Sequence, residues 1–334
     1  MESLDLRVLG DALAWKQAGH AVTLVTVVET WGSAPRPPGA LLAVRDDGMV
    51  SGSVSGGCVE DDLIARTKAA LNQPSEASPT QPFMMAYGVS KEEAARFGLP
   101  CGGTLRLVQE PLHDTAWISE VLQRTADHQL VARTLTLSTG VVALHDAVRG
   151  QAMQFDGTTL TTLFGPRWRL LLIGAGQLSQ AVANMATALD FEVLVCDPRE
   201  EYASMVGGMP GVRRMEGMPD DVVRTLQPDA HTAIVALTHD PKLDDMALLE
   251  ALGSDAFYVG ALGSRRNQET RKKRLAEHFD VNEAQLARLH GPVGLKIGAR
   301  TPAEIAVSIL AEIIQVKNTV ATPAVVHTAP SCAT

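Results

Sequence analysis

Cysteine is scarce in this chain of 334 residues: it occurs four times and never as a C-x-x-C pair. So few thiols cannot build the disulfide framework of a small secreted domain. Long apolar runs are also missing, because no stretch approaches the ~18 apolar residues of a membrane span and the N-terminal segment MESLDLR is not a signal sequence. We therefore expect a reduced, cytoplasmic protein without a membrane anchor.

Positive charge is in deficit as well, since 29 lysines and arginines face 38 aspartates and glutamates, a formal net charge of −9. This balance opposes binding to a nucleic acid unless cations gather locally. The one dense basic run, Arg271 to Arg274, falls in a predicted helix and is typical of a solvated helix face. The acidic surface instead favours protein partners, and a homodimer is compatible with the sequence.

The chain has enough apolar residues, 46% of the total, to fill two cores. The strand and helix signals predict an α/β protein with an N-terminal α+β domain over residues 1–150. A Rossmann-like doubly wound parallel sheet is predicted over residues 167–320, because short, wholly apolar strands alternate there with helices. Turn signals predict a linker at 151–166, and composition predicts a disordered tail at 321–334.

Glycines follow the first strand of the second half in the pattern of a dinucleotide-binding turn. The apolar strand RLLLIGAG leads through Gly174 and Gly176 directly into a helix, which is the context that gives a G-x-G-x-x-G motif its meaning. The third small position is Ser179, a mild departure from glycine. Asp197 ends the next strand, where it can accept a ribose hydroxyl, and Arg199 follows it, where it can meet a phosphate.

Further candidate ligands follow later strands: His239 after HTAIVAL, and Ser264 and Arg265 after AFYVGAL. Because the carboxyl ends of parallel strands line one crevice, we expect these residues to converge with the glycine turn on a phosphate-bearing ligand such as NAD(P) or another nucleotide. Arg265 at a helix start opposes the helix dipole, a cost that an anionic ligand would offset. The alternative is that the glycines serve only the turn and the domain binds nothing.

Cys58 follows Gly56 and Gly57 at the predicted start of a helix. Two glycines there leave backbone N–H groups unshielded, a geometry suited to an oxyanion or a phosphate. The helix dipole favours a thiolate at Cys58, whereas the acidic residues 60–62 oppose it. The residues alone therefore do not predict the sign of the net effect.

A second glycine-flanked thiol stands in Cys101-Gly102-Gly103. Two such elements in one domain favour a cofactor that contains a soft metal or sulfur. A zinc site is disfavoured because the spacing lacks paired ligands. The alternative is that both cysteines are small residues in crowded turns. Cys196, at the end of an apolar strand, is predicted to be a buried hydrophobe.

Longer motifs run in order along nearly the whole chain: GSAPRPPGALLAV, SGGCVE, CGGTLRL, VCDPRE, VALTHDPKLDD, YVGALGSRRNQETRKKRL and GPVGLKIGARTPAEIAVSILAEI. Together they resemble the XdhC/CoxI family, the accessory factors of xanthine dehydrogenase and related molybdenum hydroxylases. The resemblance implies a non-catalytic chaperone for the molybdenum cofactor, which is molybdopterin in a mono- or dinucleotide form. Such a chaperone protects the cofactor, supports its sulfuration by a cysteine desulfurase and inserts it into an apo molybdenum hydroxylase.

The same resemblance makes Cys58 and Cys101 candidates for contact with molybdenum or its exchangeable ligand. It makes Ser55 to Gly57, together with Gly102 and Gly103, candidates for holding the pterin phosphate. It leaves open what the Rossmann-like domain binds. The main alternative is an NAD(P)-dependent oxidoreductase that uses the glycine turn and Asp197, and a third is a nucleotide-sensing regulatory module.

Overall fold

A computed structural model of the chain describes residues 3–30, 36–57, 59–72, 80–88 and 104–319. These residues form two compact units, the first ending at Pro166 and the second beginning at Arg167. The tail predicted at 321–334 lies outside the described residues. None of the described helices is long and apolar enough to cross a membrane.

The first unit contains a five-stranded antiparallel sheet. Its strands are β1 (Val22–Thr30), β2 (Leu41–Arg45), β3 (Val50–Gly52), β4 (Phe83–Tyr87) and β5 (Leu105–Pro111). They lie in the order β3-β2-β1-β5-β4, so the long strand β1 is central. Branched residues fill β1 and are almost entirely buried, as expected for a strand covered on both faces. The predicted hairpin at Asp47 and Gly48 joins β2 to β3.

Helices cover both faces of this sheet. The described helices of the first unit are α1 (Ser3–Gln17), α2 (Glu60–Asn72) and α3 (Ala116–Ala126). Side chains of α1 and α3, including Leu9 and Trp117, form a core with one face of the sheet. Leu63 of α2 packs on the other face together with Val54 and Val59, which lie at the two ends of the turn that precedes α2. The core therefore anchors the chain on both sides of the turn that enters α2.

A second antiparallel sheet completes the first unit. Part of this sheet lies within residues 151–166, where the sequence predicts a linker. Its strands are β6 (Val131–Thr136), β7 (Val142–Asp146), β8 (Gln154–Phe155) and β9 (Thr159–Phe164), in the order β7-β6-β9-β8. β8 and β9 occupy much of the predicted linker, and β9 pairs with β6 along its whole length. Leu160, Thr162 and Phe164 are buried at alternate positions, a strand period that the neighbouring turn residues obscure in the sequence.

The second unit is built on a parallel sheet. Its strands are β10 (Arg169–Ile173), β11 (Glu192–Cys196), β12 (Val212–Met215), β13 (Thr232–Ala236), β14 (Tyr258–Ala261) and β15 (Leu289–His290). All neighbours are parallel, in the order β12-β11-β10-β13-β14-β15. This is the doubly wound Rossmann order, in which the chain reverses direction across the sheet between β10 and β13. The predicted fold class is confirmed.

Helices cover the parallel sheet on both faces. They are α4 (Gln177–Ala188), α5 (Glu200–Ala203), α6 (Pro219–Leu226), α7 (Pro241–Gly253), α8 (Arg265–Phe279), α9 (Glu283–Ala287) and α10 (Pro302–Thr319). Apolar residues of α4 and α10 form the core on one face, and those of α6, α7 and α8 form the core on the other. The central strands are apolar on both faces because neither face meets water.

Arg271 is a charged residue whose environment the sequence does not reveal. The run 271–274 is predicted as a solvated face, yet Arg271 is only 6% exposed. Its guanidinium donates to Asp244 at 3.0 Å and to Asp245 at 3.1 Å, and both carboxylates are buried. Asp244 also accepts the backbone N–H of Thr238. The ion pairs therefore join α8 to α7 and to the loop after β13.

Replacing Arg271 by alanine leaves the buried Asp244 carboxylate without its guanidinium partner. We expect a loss of about 3–5 kcal/mol in the free energy of unfolding, measured by urea titration. Lys273→Ala is the matched control, because Lys273 is exposed on the same helix, and it should change stability by less than about 0.5 kcal/mol. Equal effects of the two substitutions would contradict this role for Arg271.

Candidate functional site

The segment Ser53–Gly57, here called the glycine loop, connects β3 to the turn that enters α2. Val54 and Ser55 are buried in it, whereas Gly56 and Gly57 are exposed. Both glycines have a left-handed backbone, with φ of +77° and +114°, which a residue with a side chain would strain. The glycine loop is therefore buried at Val54 and Ser55 and exposed at its last two residues, directly before position 58.

The carboxylate of Glu60 organises the glycine loop by accepting five hydrogen bonds from it. Oε1 accepts from the Ser53 hydroxyl at 2.7 Å and from the N–H groups of Val54 at 3.0 Å and Ser55 at 2.9 Å. Oε2 accepts from the Ser55 hydroxyl and from the Gly57 N–H, the latter at 2.9 Å. One side chain thus binds almost the whole loop.

These contacts also determine the charge of Glu60, which is 9% exposed. Burial is the largest single influence and by itself raises the pKa. Hydrogen bonds from Ser55, Ser53 and Val54 together outweigh burial and lower the pKa of Glu60 to about 2. The loop therefore encloses a permanent anion at neutral pH.

The sequence predicts that the N–H groups of Gly56 and Gly57 bind a phosphate, but both already donate to protein groups. The Gly56 N–H donates to Ser53 Oγ at 3.0 Å, and the Gly57 N–H donates to Glu60. Just beyond the loop, the Val59 N–H donates to Ser55 Oγ at 3.0 Å. A phosphate can use the two glycine N–H groups only by displacing these protein groups.

Of the cysteines discussed in the sequence analysis, the structure describes Cys196 but not Cys58 or Cys101. Cys58 and residues 101–103 lie outside the described residues, so their contact with a cofactor stays a prediction. Cys196 is fully buried, as predicted, and burial raises the pKa of its thiol to about 12, which makes it unreactive. In the part of the chain that the structure describes, no cluster of three or more His, Cys, Asp or Glu side chains can hold a metal ion.

The glycine turn after β10 has the geometry that its motif predicts. Gly174 has φ of +105°, and a Cβ there would lie 3.0 Å from the Thr238 side chain. Gly176 is the N-cap of α4, and a Cβ on it would meet no atom within 4 Å. Ser179 is 1% exposed and fills the third small position. Open space therefore lies at the N-terminus of α4, where a phosphate is favoured.

Asp197 is already engaged at the end of β11. Its carboxylate accepts the Ala175 N–H at 2.9 Å and three bonds from Arg199: N–H at 3.1 Å, Nε at 2.9 Å and Nη2 at 2.8 Å. Burial is the largest influence and opposes ionisation, but the bonds from Arg199 and Ala175 prevail and the pKa of Asp197 lies below its ordinary value. Because a carboxylate accepts about four such bonds, a ribose hydroxyl would have to displace one.

The guanidinium of Arg199 is a partly exposed charged group at this strand end. It lies 4.1 Å from the centre of the Tyr202 ring and keeps 31% of its side chain exposed. Its Nη1 makes none of the bonds to Asp197, which use Nε and Nη2. This strand end therefore suits an anionic group better than a ribose hydroxyl.

The other predicted residues follow neighbouring strands of the same sheet. β11, β10, β13 and β14 are adjacent, so Asp197, the glycine turn, His239 and Ser264 lie along one edge. His239 is exposed and has φ of +62°. Ser264 caps α8 by accepting the Asn267 N–H at 3.2 Å, and the adjoining Arg265 is exposed. The structure thus brings these residues to the predicted edge.

Glu60 is the residue that sequence reasoning misses, because composition groups residues 60–62 together as the acids of a first helical turn. Asp61 is exposed, as that grouping requires, but Glu60 is turned back into the glycine loop. A signal for this exists in the sequence. Glu60 stands three residues after Gly57, which is the sequence spacing of a capping-box glutamate and the N–H it accepts, although here α2 begins at Glu60 itself.

The low pKa of Glu60 predicts a specific pH dependence of stability. A carboxylate whose pKa falls from 4.5 to about 2 on folding stabilises the protein fully above pH 4.5, and this contribution is lost as the pH falls toward 2. We expect Glu60→Gln to lower the free energy of unfolding by about 2 kcal/mol at pH 7, after allowance for solvent screening.

Urea unfolding of wild type and variant between pH 7 and pH 3 checks this prediction. The difference between the two should shrink as the solution becomes more acidic. Asp61→Asn, at the exposed neighbouring carboxylate, is the control and should change stability by less than about 0.5 kcal/mol throughout. A Glu60→Gln effect that stayed constant across this range would contradict the charged role of Glu60.

Comparison with known proteins gives matches in both halves of the chain. The model of the XdhC Rossmann domain matches residues 170–313, and that of the XdhC and CoxI family matches residues 15–81. The chain is 29% identical over 342 residues to a Bacillus subtilis (strain 168) protein named as a probable xanthine dehydrogenase subunit, covering 93% of this chain and 97% of the relative. It is 30% identical over 310 residues to the molybdenum cofactor insertion chaperone PaoD of Escherichia coli (strain K12), covering 90% and 85%.

A solved structure supports the fold over the same length. The crystal structure described as a xanthine dehydrogenase from Bacillus halodurans matches with a TM-score of 0.74 and covers 95% of this chain and 96% of its own. Its sequence is 23% identical, so the likeness shows the fold alone. The family matches in both halves and the 30% identity over most of a curated relative establish that this chain belongs to the XdhC and CoxI family.

Proposed function

We propose that this chain binds the molybdenum cofactor as cargo and inserts it into an apo hydroxylase of the xanthine dehydrogenase class, with no turnover chemistry of its own. The observation that carries the proposal is the 30% identity, over 90% of this chain, to a relative named as a molybdenum cofactor insertion chaperone. The relative whose name refers to xanthine dehydrogenase supports the class of client.

The proposal includes finer steps. The chain holds molybdopterin, in a mono- or dinucleotide form, while a cysteine desulfurase installs the sulfido ligand, and handover to the hydroxylase follows in the cytoplasm. The net charge of −9 supports a partner with a complementary basic surface. A homodimer of the chaperone is compatible with this sequence of events.

Within the first unit, we assign the molybdenum contact to Cys58 and Cys101, whose thiolates are soft donors. The glycine loop supports this for Cys58, because the chain is held just before it by Glu60 and just after it by the buried Val59. Gly102 and Gly103 stay candidates for the pterin phosphate. The equivalent N–H groups of the glycine loop are less suited to that role, because they already have partners.

The first test is the molybdenum and pterin content of the chain purified from cells that make the cofactor. We expect wild type to carry both, and Cys58→Ala or Cys101→Ala to lower the content by roughly tenfold through loss of a metal contact. Cys196→Ala is the matched control, because that thiol is fully buried, and it should leave the content unchanged.

Two results would overturn this proposal. Wild-type protein that folds normally but carries neither molybdenum nor pterin would remove cofactor binding. Equal losses in all three cysteine variants would remove the roles given to Cys58 and Cys101, since Cys196 lies in the core of the second unit.

The open space at Gly176 supports a nucleotide-binding role for the second unit beside cofactor insertion. The Asp197 carboxylate already accepts from Arg199 and Ala175, so a ribose diol would have to displace one of these bonds. Arg199 instead offers a guanidinium, which pairs with phosphate. We therefore propose that this edge prefers a nucleotide with a phosphate at the position of the ribose hydroxyl, as in NADP rather than NAD.

Calorimetric titration of the full chain with NADP⁺ and NAD⁺ checks this preference. We expect NADP⁺ to bind at least tenfold more tightly, ~1.4 kcal/mol, and Arg199→Ala to remove the difference. Gly176→Ala should weaken binding of both without loss of stability, because its Cβ meets only open space. Equal affinities in wild type would contradict the role of Arg199.

The same titration, combined with an activity assay on carbonyl and alcohol substrates and with the molybdenum content, separates the alternatives for the second unit. Nucleotide-dependent turnover of a carbonyl or an alcohol would favour the oxidoreductase. Tight binding without turnover, in protein that lacks molybdenum, would favour the regulatory module. The relative named as a chaperone supports cofactor insertion over both.

A further inference from the structure

One carboxylate controls the chain on both sides of position 58. Before it, the Gly57 N–H donates directly to Glu60 Oε2. After it, the Val59 N–H donates to Ser55 Oγ, and that hydroxyl in turn donates to the same Oε2. Removal of Glu60 therefore removes the hydrogen bond of the Gly57 N–H. It also removes the acceptor that orients the Ser55 hydroxyl, to which the Val59 N–H donates.

The same carboxylate closes the glycine loop to other anions. Three backbone N–H groups and two hydroxyls converge on Glu60, which is the arrangement of an anion-binding nest. Glu60 is tethered three residues from Gly57 and already oriented, so it competes with a free oxyanion at a large effective concentration. We therefore expect that free phosphate does not displace the Glu60 carboxylate from the loop.

We propose that Glu60 is a positioning residue for the cofactor site: its carboxylate fixes the described backbone before and after position 58 and keeps the N–H groups of the glycine loop closed to the cofactor's phosphate. This inference rests on the proposed function, because the contact between Cys58 and the cofactor belongs to it. It goes beyond that function by assigning a role to a residue that itself does not touch the cofactor.

The role requires both oxygens of a carboxylate. Oε1 and Oε2 each accept from a different part of the loop, Val54 and Ser55 on one side and Gly57 on the other. Glutamine has one acceptor oxygen, and its NH₂ group is a donor that would face another donor. Glu60→Gln therefore keeps the size of the side chain but disrupts the contacts of one oxygen, three if the NH₂ group replaces Oε1 and two if it replaces Oε2.

The experiment compares Glu60→Gln with Glu110→Gln in the full chain. Glu110 is also a buried carboxylate of the first unit, and it pairs with the buried Arg133 rather than with the glycine loop. Both variants lose a buried charge, so loss of stability alone affects both. The readouts are the molybdenum and pterin content and the alkylation rate of Cys58 by iodoacetamide, followed by peptide mass spectrometry.

For Glu60→Gln we expect a roughly tenfold loss of cofactor, comparable to removal of a supporting residue at a metal site. We also expect alkylation of Cys58 to become several-fold faster, because the loop around it is released and a negative charge nearby is removed. Glu110→Gln should keep wild-type values for both. Equal changes in the two variants would overturn the proposal and leave Glu60 with a structural role only.

Chemical rescue separately tests whether the Glu60 carboxylate fills the anion-binding position of the glycine loop. In Glu60→Ala the vacated space faces the same donors, so sodium acetate should raise its thermal midpoint by several degrees and slow Cys58 alkylation toward the wild-type rate. Sodium chloride at equal ionic strength should not. Inorganic phosphate should leave the alkylation rate of Cys58 in wild type unchanged. A change in that rate with phosphate, or no rescue of Glu60→Ala by acetate, would contradict the claim that Glu60 excludes other anions from the glycine loop.

Failure of the proposed function gives a different result. If wild type carries no molybdenum, the cofactor-insertion proposal fails, whereas the alkylation and acetate measurements still decide whether Glu60 positions residue 58. If wild type carries molybdenum and Glu60→Gln carries as much, the proposed function stands and the positioning role is overturned.

Discussion

The candidate cofactor site depends on a hydrogen-bonded carboxylate within a loop made largely of backbone. The glycine loop has no side chains at its tip that could pack, so its shape must come from polar contacts, and Glu60 supplies them. Its two oxygens accept five bonds, and each such charge-assisted bond is stronger than a neutral one. The buried Val54 and Val59 attach this arrangement to the core of the first unit. The backbone on either side of position 58 is thereby fixed by contacts within a single turn of the chain.

The second unit uses carboxylates in the same way, two of them buried (Asp197 and Asp244) and one half-buried (Glu312). Asp197 accepts the Ala175 N–H in the glycine turn, Asp244 accepts the Thr238 N–H in the loop after β13, and Glu312 accepts the Gly294 N–H in the loop after β15. Each of these loops follows a strand of the parallel sheet, at the edge where a ligand is expected. Part of the net charge of −9 is therefore internal, and it orders the loops instead of repelling a ligand from the surface.

The extent to which sequence predicts this structure follows from what a pattern of residues can report. Wholly apolar strands report burial on both faces, so the parallel sheet and the edge that gathers Asp197, His239 and Ser264 could be predicted. The family motifs located the glycine loop for the same reason, that local composition is visible. Polar residues do not announce their partners: Arg271 pairs with Asp244, 27 positions away, and Glu60 folds back within its own turn. From sequence alone, both residues are typical of charged side chains on a solvated surface. Strand β9 is not predicted because turn residues surround it in the sequence.

Hydrogen–deuterium exchange of the full chain, with and without bound molybdenum cofactor, tests the central claim most directly, because it reports where the cofactor contacts the protein. We expect that contact at the segment held by Glu60, so peptides covering residues 53–60 should exchange more slowly when the cofactor is bound. Unchanged exchange in those peptides, with protection confined to the second unit, would contradict it.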